Sequence, residues 1–225
     1  MKILRGLPGI LFGLAVILAI LYVSVMLPAY SMEFYKYEYN KNSTYEAVGM
    51  TEADLETVTG HLIEYLKGRE HELNIMTSVS GESRLFFSDR EIYHMDDVLE
   101  LFEMGRVIAL VSAVLIAAGI LVCWLWKAGR RAVYVYARGV IIAVIAAGAA
   151  VAIVVSFNFN YFFTMFHNIF FSNDLWILDS RVDLLINIVP LPFFIDIAVV
   201  IAGLFIVMSG ILVAALSILI RRTPK

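Results

Sequence analysis

Four long apolar stretches dominate the pattern of hydrophobic and polar residues along the chain. They cover about residues 7–27, 107–126, 140–157 and 197–220. Each is close to the roughly 20 residues that an α-helix needs to cross about 30 Å of hydrocarbon. Helices are expected because lipid offers no hydrogen-bond partner to backbone groups that are left unpaired. The pattern therefore predicts a membrane α-helical fold with four transmembrane helices.

The segment between the first two stretches is patterned like a small water-exposed domain. Residues 32–39 (MEFYKYEY) alternate charged and aromatic side chains, which predicts a β-strand. Thr51 opens, through a capping box, an amphipathic helix that ends near Gly68. Residues 73–79 and 84–87 flank a turn and predict a hairpin. We therefore expect a small α+β cap with about three strands.

The entry into the second apolar stretch carries the first candidate site. Ser88 and Glu91 form another capping box, and the helix that it opens is expected to continue into the second span. His94 lies on this helix. Glu91 and Asp97 are each three residues from it, so all three side chains share one helix face.

A second candidate site lies where the third apolar stretch ends. His167 is found there, and Trp176 soon after it fits the belt of aromatic residues at a membrane interface. Residues 184–195 are too short to cross the bilayer and are interrupted by Pro190 and Pro192. We expect an interfacial or re-entrant segment at about residues 172–196 on the outer face.

The basic residues predict how the spans are oriented. The two ends of the chain and the loop after the second span hold nine basic residues and no acidic one: Lys2, Arg5, Lys127, Arg130, Arg131, Arg138, Arg221, Arg222 and Lys225. The positive-inside rule therefore places both termini in the cytoplasm and both candidate histidines outside. The predicted organisation is transmembrane helix 1 at residues 1–28, an extracellular cap at 29–91, and transmembrane helices 2–4 at 92–225.

The composition agrees with an integral membrane protein. Of the 225 residues, 61% are hydrophobic and only 16% are charged, whereas a soluble domain carries about 25% charged residues. The single cysteine, Cys123, excludes a disulfide within the chain, and no nucleic-acid-binding motif is present. A cleaved signal peptide with a site near Ala29 is an alternative for the first stretch, but its length favours a retained anchor.

Histidine is the candidate catalytic residue type. Imidazole titrates near neutrality and can act as a general base, a general acid or a hydrogen-bond donor. A polar group at the end of a membrane segment is a functional candidate, and the alternative is that imidazole simply favours the headgroup region. His61 and His71 fall in the predicted cap and are expected to be solvated.

Other readings of the same residues stay open. A metal-dependent membrane hydrolase would use the two histidines with Asp97 or Asp179, although no HExxH signature is present. Arg90 and Arg181 are candidates for binding an anionic phospholipid headgroup or are solvated surface cations. A non-catalytic sensor or assembly partner is the third alternative.

Three stretches resemble a known bacterial family. REIYHMDDV around His94, FHNIFFSNDLWILD around His167 and the following PLPFFID resemble the lipoprotein intramolecular transacylases (Lit). The resemblance extends over nearly the whole chain. It implies that a diacylglyceryl-modified lipoprotein transfers its sn-2 acyl chain to the α-amino group of its N-terminal cysteine, which yields a lyso-form. It also implies catalytic roles for the two histidines on the extracellular face of the bacterial cytoplasmic membrane.

The transfer of an acyl group from an ester oxygen to an amine nitrogen determines the roles expected of the two histidines. One imidazole would remove the amine proton while the other donates to the oxyanion or the leaving oxygen. We favour His167 as base and His94 as donor, and the reverse order stays open. No cofactor or metal is expected. The candidate orienting or substrate-binding residues are Glu91, Asp97, Arg90, Asn168, Asp179 and Arg181, and the side chains that would line the acyl path, or else face lipid, are Phe163, Phe166, Phe170, Phe171, Phe193 and Phe194.

Overall fold

The structure is a computed structural model that describes residues 2–224, with side chains from residue 6 onward. Lys225 and the side chains of Lys2 and Arg5, which enter the orientation argument, lie outside this part. The elements in chain order are α1 (Lys2–Ala29), α2 (Met32–Lys41), α3 (Thr44–Val48), α4 (Glu52–Leu66), β1 (Met76–Val79), β2 (Glu82–Leu85), α5 (Asp89–Leu125), α6 (Arg130–Phe157), α7 (Phe159–Phe170), α8 (Leu185–Ile188) and α9 (Leu191–Arg222).

Contacts divide the chain into two compact units. The first, here called the span unit, comprises the residues up to 25, residues 105–157 and those from 200 onward. The second comprises residues 26–104 and 158–199 and is called the histidine unit, because all four histidines of the sequence fall in it.

Four helices confirm the predicted membrane spans. Within the described residues, α1, α5, α6 and α9 are long and apolar enough to cross a bilayer. Helix α5 has 37 residues, or about 55 Å at 1.5 Å per residue, far more than about 30 Å of hydrocarbon requires. Its charged residues lie between Asp89 and Arg106, so the membrane-spanning part begins at Val107.

Small residues bring two helices of the span unit together. A Cβ atom added to Gly9 would lie 2.7 Å from the carbonyl oxygen of Val133, and one added to Gly13 would lie 2.9 Å from the Cα atom of Ala137. Gly9 and Gly13 are four residues apart, the GxxxG spacing that lets membrane helices approach closely. Ala137 is fully buried in a cluster with Ile17, so α1 packs directly on the backbone of α6.

The β-strand predicted at residues 32–39 is wrong, because these residues belong to helix α2 of the histidine unit. The Ser31 hydroxyl accepts a hydrogen bond from the Phe34 N–H at 3.3 Å and caps this helix. Tyr35, Glu38 and Tyr39 are buried, and their spacing of three and four residues is that of a helix face.

The remaining cap elements agree more closely with expectation. The Thr51 hydroxyl accepts from the Asp54 N–H at 3.2 Å and opens α4, while Gly68, with φ of +71°, follows its end. Strands β1 and β2 form the predicted hairpin, with Met76 opposite Leu85. The sheet has two strands rather than the expected three, because residues 32–39 do not contribute one.

The segment predicted at residues 184–195 divides into two helices. Helix α8 is a single turn, and α9 begins at Leu191. Pro192 therefore lies in the first turn of α9, where proline is tolerated because that N–H has no partner within the helix. Only the first part of the segment is separate from the fourth span.

Candidate active site

The candidate histidines lie on two capped helices, His94 near the start of α5 and His167 near the end of α7. Ser88 and Glu91 cap α5 reciprocally: the Ser88 N–H donates to Glu91 Oε2 at 2.6 Å, and the Glu91 N–H donates to Ser88 Oγ at 3.4 Å. The next turn of this helix carries His94. Asn158 separates α7 from α6, and its Oδ1 caps α7 by accepting from the Tyr161 N–H at 3.1 Å. His167 lies in the last turn of α7.

The structure brings His94 and His167 into direct proximity. Their ring centroids are 6.0 Å apart, with 36° between the ring planes. The residues are 8% and 7% exposed, respectively, so both are largely shielded from water. Phe171 packs against both rings, at 5.3 Å from His94 and 5.5 Å from His167.

The hydrogen bonding of His167 fixes its neutral tautomer. Nδ1 lies 2.7 Å from the carbonyl oxygen of Phe163. A carbonyl only accepts, so Nδ1 carries the hydrogen and Nε2 presents a lone pair. Aromatic rings surround the imidazole, with centroids at 4.3 Å for Phe163 and 4.8 Å for Trp176. His167 can therefore accept a proton at Nε2 without reorienting.

His94 differs from His167 in its hydrogen bonding. Its Nδ1 atom is buried and has no hydrogen-bond partner in the described part of the protein. With or without a hydrogen, this nitrogen therefore lacks a partner, whereas Nδ1 of His167 bonds to the carbonyl oxygen of Phe163.

The surroundings keep both rings uncharged near neutral pH. Burial, together with the imidazole of His167, lowers the pKa of His94 to about 4, although the charge of Asp97 acts in the opposite direction. Burial also lowers the pKa of His167, and the hydrogen bond to Phe163 partly opposes this effect. Both rings are therefore neutral near pH 7.

The loop after α7, residues 171–184, is fastened along the start of α5 and is called the bracing loop. Asn173 Nδ2 donates to Asp97 Oδ2 at 2.8 Å, and an Arg90 guanidinium N–H donates to the carbonyl oxygen of Ile177 at 2.7 Å. The Ser88 hydroxyl donates to Asp183 Oδ1 at 3.3 Å. The loop and the helix run in opposite directions along this seam, since later loop residues bond to earlier helix residues.

Glu91 continues this row of hydrogen bonds just beyond the end of the bracing loop. Its Oε1 accepts from the Leu185 N–H at 2.5 Å, while its Oε2 accepts from Ser88. The residue is only 1% exposed. Both of its carboxylate oxygens thus hold backbone groups, and Glu91 anchors α8 to the start of α5.

The other candidate site residues lie toward the surface. Arg181 forms a bidentate ion pair with Asp179, with an Nη2–Oδ2 distance of 2.5 Å, and both side chains are substantially exposed. Asn168 follows His167 and is exposed. Within residues 2–224, no group of three or more His, Cys, Asp or Glu side chains has an arrangement that could hold a metal ion.

Sequence reasoning missed two contributors to the site. The ring of Trp176, which fits an interfacial aromatic belt, also packs on the imidazole of His167. Asn173 was not selected, yet it joins the bracing loop to Asp97. The only local signal for either residue was the stretch SNDLW close to a functional histidine.

A known protein family matches most of the chain. The family model described as "Lipoprotein intramolecular transacylase Lit" matches residues 10–194. The chain belongs to this family. It is therefore a membrane acyltransferase that acts on lipoproteins, and the expectation drawn from its histidine motifs is confirmed at this level.

Solved structures of the Lit family have the same fold. The lipoprotein intramolecular transacylase Lit from Bacillus cereus superposes with a TM-score of 0.81 at 20% identity, covering 99% of this chain and 98% of the other. Its histidine-to-arginine variant has a TM-score of 0.78 at 18% identity, with 98% and 94% coverage. Its histidine-to-alanine variant has a TM-score of 0.79 at 18% identity, with 98% and 96% coverage. None of the curated proteins matches the chain.

Proposed function

We propose that this enzyme moves the sn-2 acyl chain of a diacylglyceryl-modified lipoprotein to the α-amino group of the N-terminal cysteine, using His167 as base and His94 as donor. The observation that carries the proposal is the proximity of the two buried rings, whose centroids are 6.0 Å apart. His167 presents a lone pair at Nε2 because its Nδ1 donates to Phe163. We assign the hydrogen of His94 to Nε2, where it can donate to the substrate.

The reaction needs one proton to be removed and one oxyanion to be stabilised. His167 Nε2 takes a proton from the amine as its nitrogen attacks the sn-2 ester carbonyl. The tetrahedral oxyanion accepts a hydrogen bond from His94 Nε2–H. As the ester C–O bond breaks, the protonated His167 gives its proton to the glyceryl oxygen, which leaves as a free hydroxyl. The acyl group remains on nitrogen as an amide.

The surroundings of the two rings favour transfer over hydrolysis. Ester and amine belong to one molecule, so binding only has to fold the substrate back on itself, and proximity supplies much of the acceleration. The rings of Phe171 and Trp176 cover the imidazoles, which limits the access of water to the ester carbonyl. Both are carried by the bracing loop.

We also place the site on the extracellular face of the bacterial cytoplasmic membrane. The cytoplasmic candidates hold only basic residues, while all 20 acidic residues fall in residues 29–106 and 158–196. The lipid-modified cysteine of an exported lipoprotein would reach the dyad there from the surrounding phospholipid. Arg90 is committed to the carbonyl of Ile177, and Arg181 to Asp179, so neither is the preferred headgroup ligand.

The test is mass spectrometry of a reporter lipoprotein co-expressed with the protein in bacteria that otherwise make only diacylglyceryl lipoproteins. His94→Ala and His167→Ala are expected to abolish the N-acylated lyso product. His61→Ala and His71→Ala are the matched controls. They change the same residue type in the same unit. Among the described residues, the side chain of His61 bonds to the carbonyl of Glu72, at 2.6 Å, so these two variants should form product at the wild-type level.

Two results would refute the proposal. One is lyso product from both the His94 and the His167 variants. The other is an acyl chain found on nitrogen that derives from the sn-1 position, which a reporter with different chains at the two positions would reveal.

A further inference from the structure

Asp97 lies close enough to His94 for its charge to oppose the lowering of the imidazole pKa. It follows His94 by three residues on α5, so the two side chains share a face of the helix about one turn apart. Its carboxylate is held by Asn173, which is two residues beyond Phe171, the ring that contacts both imidazoles. Asp97 therefore borders the reaction site from the side of the bracing loop.

One oxygen of Asp97 is available to a ligand. Asn173 Nδ2 donates to Oδ2, while no hydrogen bond reaches Oδ1 and no basic side chain pairs with Asp97 within the described residues. Asn173 cannot turn away, because its own Oδ1 accepts the Leu175 N–H at 3.0 Å. The residue is half-buried, so a cation placed there would interact more strongly than in water.

Other carboxylates nearby are committed to partners within the protein. Glu91 accepts from two backbone N–H groups, Asp96 accepts from the Tyr65 hydroxyl, Asp179 pairs with Arg181, Asp183 accepts from Ser88, and Asp196 pairs with Lys41. Asp97 differs from these in having a spare acceptor on the same helix face as His94.

We propose that Asp97, oriented by Asn173, binds the α-ammonium group of the lipid-modified cysteine before the acyl transfer. The inference rests on the proposed function, since only that reaction brings a primary amine to the two imidazoles. An ammonium group offers three N–H donors. One can bond to Asp97 while another faces the lone pair of His167. His167 takes this first proton and releases it to water, which leaves the neutral amine, and it takes the second proton as the nitrogen attacks and returns it to the glyceryl oxygen.

The chemistry also explains how such a subsite would discriminate substrate from product. Acylation converts the charged ammonium into a neutral amide with one N–H, so the charge-assisted bond to Asp97 is lost. The product is then held less tightly than the substrate at this position. Asp97 takes up no proton and forms no covalent bond in the cycle.

The experiment measures the binding of two synthetic lipopeptides to the full-length protein in nanodiscs. Both carry a diacylglyceryl-cysteine, one with a free α-amine and the other N-acetylated, and the His167→Ala background prevents turnover. We expect the free-amine form to bind about tenfold more tightly at pH 7, as one charge-assisted hydrogen bond provides. The preference should vanish at pH 9.5, well above the pKa of about 7.7–8.0 of an α-amine.

Asp97→Asn in this background should remove the preference and leave the affinity for the N-acetylated form within about twofold. Asp97→Glu, which keeps the charge, should retain part of it. The matched control is Asp96→Asn, which makes the same charge change one residue away, where the side chain bonds to Tyr65 and not to the bracing loop.

The outcomes separate this inference from the proposed function. Equal affinity for the two lipopeptides at pH 7 in the Asp97-containing protein would overturn the ammonium site, and this comparison requires no Asp97 variant. A preference that survives Asp97→Asn would overturn it as well. Loss of acyl transfer in the reporter assay would refute the reaction but leave the binding measurement unaffected.

Discussion

The Nδ1 hydrogen of His167 is held by the carbonyl oxygen of Phe163, four residues earlier in the same short helix, at 2.7 Å. This bond forms within α7 and requires no second element. The helix therefore sets the tautomer of its own histidine, and Nε2 is left to face the reacting groups. In His94 the corresponding nitrogen has no such partner, so the two rings begin the reaction in different hydrogen-bonding states.

The pH dependence of turnover should reveal the buried state of the imidazoles. Burial lowers the pKa values of His94 and His167, so these rings take up protons only below the ordinary histidine value of about 6.5. At saturating lipopeptide, kcat should decrease once as the pH falls below about 8, because the α-amine of the substrate takes up a proton there, and a second time only below 6.5, where the imidazoles do. Quantifying the N-acyl product across this range in nanodiscs provides the measurement, and a second decrease with its midpoint at or above 6.5 would contradict the buried state.

Trp176 should protect the reaction from water. Its ring lies 4.8 Å from that of His167, and an aromatic contact of this kind is worth about 0.5–1.5 kcal/mol. Trp176→Leu should therefore slow acyl transfer about threefold to tenfold and increase the share of acyl chains released as free fatty acid. Trp176→Phe should largely restore both values.

The two products can be measured together by mass spectrometry. Trp124→Leu is the matched control, because this tryptophan is 70% exposed on α5 in the span unit. A Trp176→Leu enzyme with wild-type rate and no fatty acid release would show that the ring has no shielding role.

Glu91 should matter for stability more than any exposed acid of α5. Glu91→Gln replaces one carboxylate oxygen by an NH₂ group that cannot accept from a backbone N–H, so at least one of the bonds to Ser88 and Leu185 is lost. Loss of a bond to a charged group costs about 1.5–3 kcal/mol, which should appear as a lower melting temperature. Glu100→Gln changes an exposed residue of the same helix and should leave the melting temperature unchanged.

Close contact between α1 and α6 makes Gly13 intolerant of a side chain. A Cβ atom there would lie 2.9 Å from the Cα atom of Ala137 and 3.0 Å from its carbonyl oxygen. Gly13→Ala should therefore destabilise the protein by about 1–3 kcal/mol through overpacking. Gly148→Ala meets nothing within 4 Å and should be neutral or slightly stabilising, as alanine favours helix more than glycine does. Thermal unfolding in detergent compares the two, and equal melting temperatures would contradict the close packing.

The spans were predictable because each depends only on its own apolar residues. The helix caps at Thr51 and Ser88 were predictable for the same reason, since their hydrogen bonds reach only three residues along the chain. In these cases a short window of sequence contains all the groups that interact. The proximity of His94 and His167 followed instead from a family resemblance, because nothing local connects residues 73 positions apart.

Helix α2 shows where local pattern fails. Alternating aromatic and charged residues satisfy a strand period as well as a helix period over so short a segment. The outcome depends on distant partners: Tyr35 packs on Phe193 at 5.1 Å between ring centroids, and the Tyr39 hydroxyl bonds to that of Thr59 at 2.9 Å. The bond between Asn173 and Asp97 spans 76 residues and was likewise not visible in any window.

The bracing loop joins the two histidines through bonds inside a single unit. One histidine precedes the loop and the other lies on the helix to which the loop bonds, at Ser88, Arg90 and Asp97. All of these bonds belong to the histidine unit. We therefore expect the distance between the two imidazoles to stay the same in bilayers that thicken or thin with growth temperature.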